Sequence, residues 1–256
     1  MGIIHPENKL YERTKKGRTI QVVDRRGRRE LRFGNRVVQS ALNLNNPDSL
    51  ILSYTQAMAA GMLLNPLAAR ILHIGLGGGS LPAFIYRNFP QAWQVVVELD
   101  PEVIETAYRF FGLPLHPRLK VLAADGGDYL SQCRDAFDLI FLDAYLAEGP
   151  AAAMEHQTTL GNIRDRLTAD GWLINNIWGG EPLKMEWMVS RHLAVFPRLY
   201  SISVGTGANV ILLGGKSPTP LNRPRMAEQE PLLSRKSGFD FSPWASRIQS
   251  MGKLIP

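Results

Sequence analysis

The chain has 256 residues, of which 45% are hydrophobic and 20% are charged, a balance typical of a globular protein and not of a disordered one. No apolar run is long enough to cross a bilayer, and the first residues lack the basic-then-apolar pattern of a signal peptide. We therefore expect a cytoplasmic protein with no membrane partner. The single cysteine, Cys133, excludes an intrachain disulfide and a multi-cysteine metal site.

The net charge of +6 is concentrated near the N-terminus. Residues 1–40 hold eleven Lys or Arg against four acids, a local balance of +7. Such a segment can contact nucleic acid or an anionic partner, or it can form a solvated hairpin. Because no aromatic residue interleaves with the arginines between positions 18 and 32, as a base-stacking surface requires, we expect a hairpin and no nucleic-acid partner.

The first structured part of the chain is predicted to be a small antiparallel β-domain. Short β-prone runs are separated by Arg-Gly and Gly-Asn turn signals. The predicted strands are residues 19–23, 30–33 and 36–41. A loop with Pro47 follows, and then a helix over residues 50–64. We assign residues 1–48 to this domain.

A glycine-rich turn at residues 71–80 organises the rest of the chain. The segment is Ile-Leu-His-Ile-Gly-Leu-Gly-Gly-Gly-Ser, an apolar run that leads into four glycines. The run is typical of a buried parallel strand, and the glycines let backbone amides approach a ligand. Ser80 is predicted to cap a helix over residues 81–89. The pattern favours a site for the sugar or phosphate of a nucleotide, or else an ordinary βα turn.

Strands and helices alternate regularly after this turn. The predicted strands are residues 93–99, 119–124, 137–142 and 172–177, and the predicted helices are residues 101–111, a short one ending at Cys133, 156–167 and 183–196. This order predicts an α/β fold, a doubly wound and mostly parallel sheet over residues 49–215, with an antiparallel edge formed by residues 200–204 and 209–213. Five prolines between positions 218 and 243 predict an extended tail over residues 216–256.

Acidic residues follow three of the predicted parallel strands. In an open parallel sheet the ligand lies at the carboxyl ends of the strands, where this chain has Glu98, Asp125 and Asp143. Glu98 follows Gly75 by 23 residues, so its carboxylate can accept both hydroxyls of a ribose. Asp143 is suited to hold or deprotonate an amine. Each acid can also be a solvated strand end or a helix cap.

The type of nucleotide is indicated by the spacing of the glycines. A nicotinamide cofactor favours Gly-x-Gly-x-x-Gly, but counted from Gly75 the third glycine position holds Ser80. Asp125 and Gly126 favour an adenosyl group instead, because the carboxylate can accept the adenine amine while the glycine lets the ring lie close. S-adenosyl-binding folds use this arrangement.

Several motifs in a fixed order resemble the spermidine synthase, or polyamine aminopropyltransferase, family. They are Tyr-x-Gln-x-Met, Ile-Gly-x-Gly-Gly-Gly, Val-Glu-Leu-Asp-Pro-Glu-Val-Ile, His-Pro-Arg-Leu-Lys-Val, Ala-Asp-Gly, and Phe-Asp-Leu-Ile-x-x-Asp followed by Gly-Pro. The resemblance covers about residues 18–215 and includes the N-terminal meander. It implies a Rossmann-like fold of the S-adenosylmethionine-methyltransferase type and a transferase that uses decarboxylated S-adenosylmethionine, a small-molecule amine and no metal. It also implies a homodimer.

The resemblance assigns roles to individual residues. Asp143 matches the catalytic acid that deprotonates the attacking amine, and Glu98 and Asp125 match the ribose and adenine acceptors. The full set of cofactor contacts that it implies is Gln56, Gly75, Gly77, Gly79, Glu98, Asp125, Gly126 and Pro150.

Two positions depart from the family pattern. The acid of the family's glycine loop falls on Gly78, and its second site acid falls on Leu146. A dicationic amine needs carboxylates to offset its desolvation, so both losses predict weak polyamine binding. Two alternatives therefore stay open, a methyltransferase that uses intact S-adenosylmethionine and a non-catalytic adenosyl-binding protein.

Overall fold

The computed structural model describes residues 7–15, 17–34, 37–146, 149–150, 156–205 and 209–252. The N-terminal part forms an antiparallel sheet in the order β1-β2-β3-β4. Its strands are β1 (Asn8–Lys15), β2 (Arg18–Arg25), β3 (Arg28–Phe33) and β4 (Val37–Asn43). The predicted meander is confirmed, and β1 adds a strand that the polar first residues do not indicate.

A second, mostly parallel sheet forms the body of the molecule. Its strands are β5 (Arg70–Ile74), β6 (Trp93–Glu98), β7 (Leu119–Ala123), β8 (Phe137–Leu142), β11 (Leu167–Trp178), β12 (Arg198–Val204), β13 (Asn209–Gly215) and β14 (Gln249–Ser250). Within the described residues the strand order is β14-β12-β13-β11-β8-β5-β6-β7. The five strands from β11 to β7 are parallel, whereas β13, β12 and β14 continue the sheet in antiparallel fashion. The predicted Rossmann-like fold with an antiparallel edge is confirmed.

Helices and a short hairpin connect these strands. The helices are α1 (Ser53–Ala59), α2 (Ser80–Asn88), α3 (Pro101–Phe111), α4 (Gly126–Gln132), α5 (Gln157–Arg166), α6 (Pro182–Val195), α7 (Arg223–Ser237) and α8 (Ser242–Ala245). The hairpin pairs β9 (Tyr145–Leu146) with β10 (Gly149–Pro150). Successive residues of a strand point to opposite faces of the sheet. Ile71 and Leu72 in β5 are both fully buried, in different apolar clusters, because helices cover both faces.

Local sequence signals set most helix ends. Asp100 caps α3 as predicted, because its side chain accepts a hydrogen bond from the Glu102 amide. At α2 the prediction is off by one position. Gly79 occupies the N-cap with a φ of 75°, and Ser80 is the first helical residue, whose hydroxyl lies 3.1 Å from that of Ser40.

The prediction of an extended C-terminal tail is wrong. Residues after 222 form α7, α8 and β14, and β14 pairs with β12 at the edge of the main sheet. Asn222 caps α7 by accepting from the Arg225 amide, and Pro224 lies in the first turn, where a helix does not need its N–H. Burial stabilises the segment, since Phe241 is 0% exposed in the core beneath the sheet.

The basic N-terminal sheet pairs many of its own cations. Arg29 forms a two-pronged contact with Asp24, and Arg32 contacts Glu30. Arg18 forms an ion pair with Asp100 at the start of α3. These ion pairs hold the sheet together and join it to the start of α3. In the described part of the chain, the structure has no helix that combines the length and apolarity needed to cross a membrane.

We expect Phe241→Ala to lower the free energy of unfolding by about 3–5 kcal/mol, because it removes a fully buried ring and leaves a cavity. Leu232→Ala is the matched control, since Leu232 is 64% exposed on α7 and its loss should cost far less. Urea titration of both variants measures the difference. Equal, small losses would show that the C-terminal segment does not pack on the core.

Candidate active site

A cavity of about 530 Å³ opens at the carboxyl ends of β5, β6, β7 and β8. Ligands of open parallel sheets bind at this edge. The N-terminal sheet supplies one wall, formed by Arg18, Phe33, Val38, Gln39 and Ser40. The residues predicted for the site that line the cavity are Gly75, Gly77, Glu98, Asp125, Gly126 and Asp143.

The glycine turn lies against the end of β8. Gly75 has a φ of 96°, and a Cβ atom placed on it would lie 2.2 Å from the Asp143 carbonyl oxygen. No side chain fits at such a distance, so this position requires glycine. The turn therefore presents bare backbone to the cavity, as predicted from the sequence.

The other loop glycines have different surroundings. A Cβ on Gly79 would lie 2.6 Å from Leu113 Cδ1, so Gly79 packs on that side chain and not on the cavity. A Cβ on Gly78 would lie 2.8 Å from Ser40 Oγ and 2.9 Å from Phe111 Cδ1. An aspartate at position 78 would therefore require Ser40 and Phe111 to move.

Glu98 connects β6 with the glycine turn. Its Oε2 accepts from the Leu76 amide and its Oε1 accepts from the Asp100 amide, each at 2.9 Å. Burial raises the pKa of Glu98, while backbone donors led by Leu76, and the charge of Arg18, oppose the rise. The carboxyl group thus holds the turn in place from a position on the cavity wall.

Asp125 has a structural contact as well as a place on the cavity wall. Its Oδ1 accepts from the amides of Gly127 at 2.8 Å and Asp128 at 3.0 Å, which makes it the N-cap of α4. One carboxylate offers about four lone-pair positions, so a capping bond to Oδ1 leaves Oδ2 able to accept from a ligand.

Asp143 lies where β8 ends. Asn176 Nδ2 donates to Asp143 Oδ1 at 2.8 Å. Desolvation raises the pKa of Asp143 to about 6, hydrogen bonds from Asn176 and Tyr54 oppose the rise, and the charge of Glu98 adds to it. A carboxyl group with this pKa is ionised at neutral pH and is still basic enough to accept a proton.

Tyr54 links this carboxyl group to the N-terminal sheet. Its hydroxyl donates to the Gln39 carbonyl at 2.8 Å and also interacts with Asp143. A tyrosine hydroxyl has one hydrogen, so the two acceptors compete for it. The position of the β4 backbone is therefore coupled to the hydrogen bonding of Asp143.

Two further residues, Gln56 and Pro150, were predicted to contact the cofactor. Gln56 does not line the cavity, and its Nε2 donates to the Leu50 carbonyl at 2.6 Å. The backbone of Pro150 pairs with Tyr145, and that of Leu146 pairs with Gly149. The side chains of Pro150 and Leu146 lie outside the described residues.

The polar residues of the cavity wall that were not predicted include Asn176, Asn209 and His73. Asn176 and Asn209 contact each other, and His73 is buried with its Nε2 2.8 Å from Gln94 Oε1. Burial lowers the pKa of His73 to about 4, so it is neutral. The pair of asparagines in an otherwise apolar strand, residues 172–177, was the available signal for Asn176.

Comparisons with known proteins identify the family and the fold. A sequence profile of the spermine/spermidine synthase domain matches residues 53–186. The polyamine aminopropyltransferase of Neisseria meningitidis serogroup A is 31% identical, over 83% of this chain and 82% of that protein. Human methyltransferase-like protein 13, solved in complex with SAH, is 27% identical with a TM-score of 0.64, over 80% of this chain and 97% of that one. A probable spermidine synthase from Corynebacterium glutamicum has the same fold, with a TM-score of 0.71 and 18% identity over 97% of both chains.

The mostly parallel sheet and the cavity at its carboxyl edge define a Rossmann-like protein of the S-adenosylmethionine-methyltransferase type. A small antiparallel β-domain precedes that fold. Within this class, the profile match and the Neisseria relative show that the chain belongs to the spermine/spermidine synthase family and is a transferase of that family. The modest identity and the glycine at position 78 make it a divergent member.

We expect Asp143→Asn to stabilise the protein at pH 7 by up to about 3 kcal/mol, and far less at pH 4. The pKa of Asp143 is raised from 3.8 to about 6. Between these values the folded protein holds a proton that the unfolded chain has released. The stability contributed by the protonated group is therefore present below pH 4 and is lost as the pH rises through 6. Urea unfolding of both proteins at the two pH values is the measurement, and an equal effect at both would contradict it.

Proposed function

We propose that the cavity binds an S-adenosyl-type cofactor and that the protein transfers an aminopropyl group from decarboxylated S-adenosylmethionine to an amine nitrogen. The observation that carries the proposal is the Asp143 carboxyl group, which faces the cavity beside Asn176 and has a pKa of about 6. The family and the Neisseria aminopropyltransferase support the reaction class.

The cavity wall suits an adenosyl group. Gly75 and Gly77 line the cavity, and the absence of side chains on both residues lets a ligand approach the main chain. We assign Glu98 to the ribose hydroxyls, and Asp125 with Gly126 to adenine. Pro150 is proposed to pack on the nucleoside.

Two of the residues predicted to contact the cofactor are proposed to act indirectly. Gln56 fixes the start of α1 through its bond to Leu50, and thereby the position of Tyr54. Gly79 allows the turn to close on Leu113 so that Gly77 meets the cavity.

Proton transfer is assigned to Asp143. When bound, decarboxylated S-adenosylmethionine would supply an aminopropyl carbon activated by the neighbouring sulfonium. The amine nitrogen would form a bond to that carbon as its bond to sulfur breaks, and methylthioadenosine would leave with the electron pair of the broken bond. Asp143 orients the amine through its lone pairs and accepts the proton that the nitrogen loses. A cationic ligand beside the carboxyl group favours its ionised form and lowers its pKa, so Asp143 is ready to act at neutral pH.

Methyl transfer from intact S-adenosylmethionine is the second candidate. Position 78 lacks the acid that would repel the cofactor's carboxylate, and Arg18 and Lys184 line the cavity. A cation near the carboxylate of the intact cofactor would favour its binding. The similarity to human methyltransferase-like protein 13 also favours this candidate.

We further propose that the enzyme acts in the cytoplasm on a small-molecule amine as a homodimer, which rests on the resemblance to its family. Analytical ultracentrifugation across micromolar concentrations tests the assembly. A sedimentation coefficient that fits a dimer of the 28.5 kDa chain is the expected result. A monomer at all concentrations would exclude it.

Product analysis distinguishes the two reactions. We expect decarboxylated S-adenosylmethionine to raise the melting temperature more than the intact cofactor, and methylthioadenosine to appear when a di- or polyamine is added. Asp143→Asn should lower the rate about 10²- to 10⁴-fold, because a positioned base is lost, while cofactor binding persists.

Asp128→Asn is the matched control, since Asp128 is an exposed carboxylate that does not line the cavity. Its rate should equal that of the wild type. Release of S-adenosylhomocysteine from the intact cofactor, without methylthioadenosine from the decarboxylated one, would select methyl transfer. Unchanged turnover in Asp143→Asn would remove Asp143 from the reaction.

A further inference from the structure

The side-chain amides of Asn209 and Asn176 connect the start of β13 to Asp143 by two hydrogen bonds. Asn209 Nδ2 donates to Asn176 Oδ1 at 3.0 Å, and Asn176 Nδ2 donates to Asp143 Oδ1 at 2.8 Å. All three residues line the cavity. Asn176 is only 6% exposed, so water has little access to replace either bond.

The pairing of the strands sets this arrangement. Asn176 in β11 lies opposite Ile211 in β13, and Asn209 is two residues from Ile211 and so on the same face of the sheet. Side chains in such diagonal positions can touch. On its other side, β11 runs parallel to β8, with Asn175 opposite Leu142, so Asn176 lies beside the strand end at Asp143.

The bond from Asn209 helps to fix which end of the Asn176 amide faces the carboxylate. An asparagine side chain has one carbonyl oxygen and one NH₂ group, and rotation of the amide exchanges them. Because Asn209 donates to the oxygen, the NH₂ group of Asn176 must point toward Asp143. If the amide were reversed, its oxygen would face a carboxylate and the attraction would become a repulsion.

We propose that Asn209 is a positioning residue, which acts through Asn176 to aim a donor at Asp143 and to keep that carboxylate ionised and oriented toward the acceptor amine. This role rests on the proposed function of Asp143. Asn209 itself touches neither the carboxylate nor, in this assignment, the reacting atoms.

Other charged groups around Asp143 remain in place when Asn209 changes. The charged groups that line the cavity are Arg18, Glu98, Asp125, Glu181 and Lys184, and its uncharged titratable groups are Tyr54 and His73. They belong to other elements than the β13 strand that carries Asn209. A neutral replacement of Asn209 therefore changes the orientation of Asn176 without changing the charge of the cavity.

A double-mutant cycle tests the proposal. Asn209→Leu removes the donor with little change in size, Asn176→Ala removes the amide that it orients, and the third protein combines both. The proton affinity of Asp143 in the ligand-free protein is measured by NMR titration of its carboxyl carbon. The signal of Asp143 is identified as the one that is missing from the spectrum of Asp143→Asn. The acidic limb of the rate against pH with decarboxylated cofactor and putrescine is the second readout.

We expect Asn176→Ala to raise the proton affinity of Asp143 about tenfold, the effect of losing a hydrogen bond to a charged group. Asn209→Leu should raise it in the same direction by up to about tenfold, but should add nothing in the Asn176→Ala background. The rate of Asn209→Leu should fall at pH 6 and recover at pH 9, with a smaller change in KM than in kcat.

Ser203→Val is the control for the pairing of β12 with β13, because Ser203 is exposed on β12 opposite Val210 and takes no part in the hydrogen bonds that join Asn209, Asn176 and Asp143. It should leave the Asp143 titration unchanged. Asn209→Ala is the second variant if leucine disturbs the fold, as judged by melting temperature. An unchanged titration in a folded Asn209 variant, or an equal effect with and without Asn176, would overturn the proposal. A shifted titration without aminopropyl transfer would uphold the positioning role of Asn209 and reject the proposed reaction.

Discussion

The close contact between the ends of β5 and β8 is the constraint on which the site depends. The Asp143 amide donates to the Ile74 carbonyl at 2.9 Å, and the chain then turns at Gly75 with no room for a Cβ atom. This contact places a bare stretch of backbone next to an acidic side chain at one edge of the sheet. Glu98 extends the arrangement to β6 by accepting from the Leu76 amide. A cavity of about 530 Å³ beside a buried carboxyl group follows from three strand ends that meet there.

The small N-terminal sheet completes that space from the opposite side. Arg18 pairs with Asp100, which also caps α3, and Tyr54 donates to the Gln39 carbonyl in β4. The sheet is therefore fastened to the main body at the same points that shape the cavity. Its arginines contribute to these attachments and to ion pairs within the sheet.

Features set by neighbouring residues could be predicted from the sequence, and features set by distant contacts could not. The alternation of apolar runs with glycine and acidic turns indicated the parallel strands, and Asp100 before Pro101 indicated the start of α3. The tail was predicted to be extended because its prolines were taken to prevent helices. The tail nevertheless forms helices, which are stabilised by burial of Phe241 in the core. The contact of Asn209 with Asn176 depends on how β13 pairs with β11, and no local pattern contains that information.

The pairing of β14 with β12 bears on how the protein is made. Synthesis proceeds from the N-terminus, so β12 emerges from the ribosome some fifty residues before the strand that covers it at Gln249 and Ser250. Until then its outer backbone groups are an open template for another chain, and the core lacks the ring of Phe241. A chain interrupted within α7 would retain the cavity residues and still expose this edge. Its failure would appear as aggregation during expression, before any defect in catalysis could be measured.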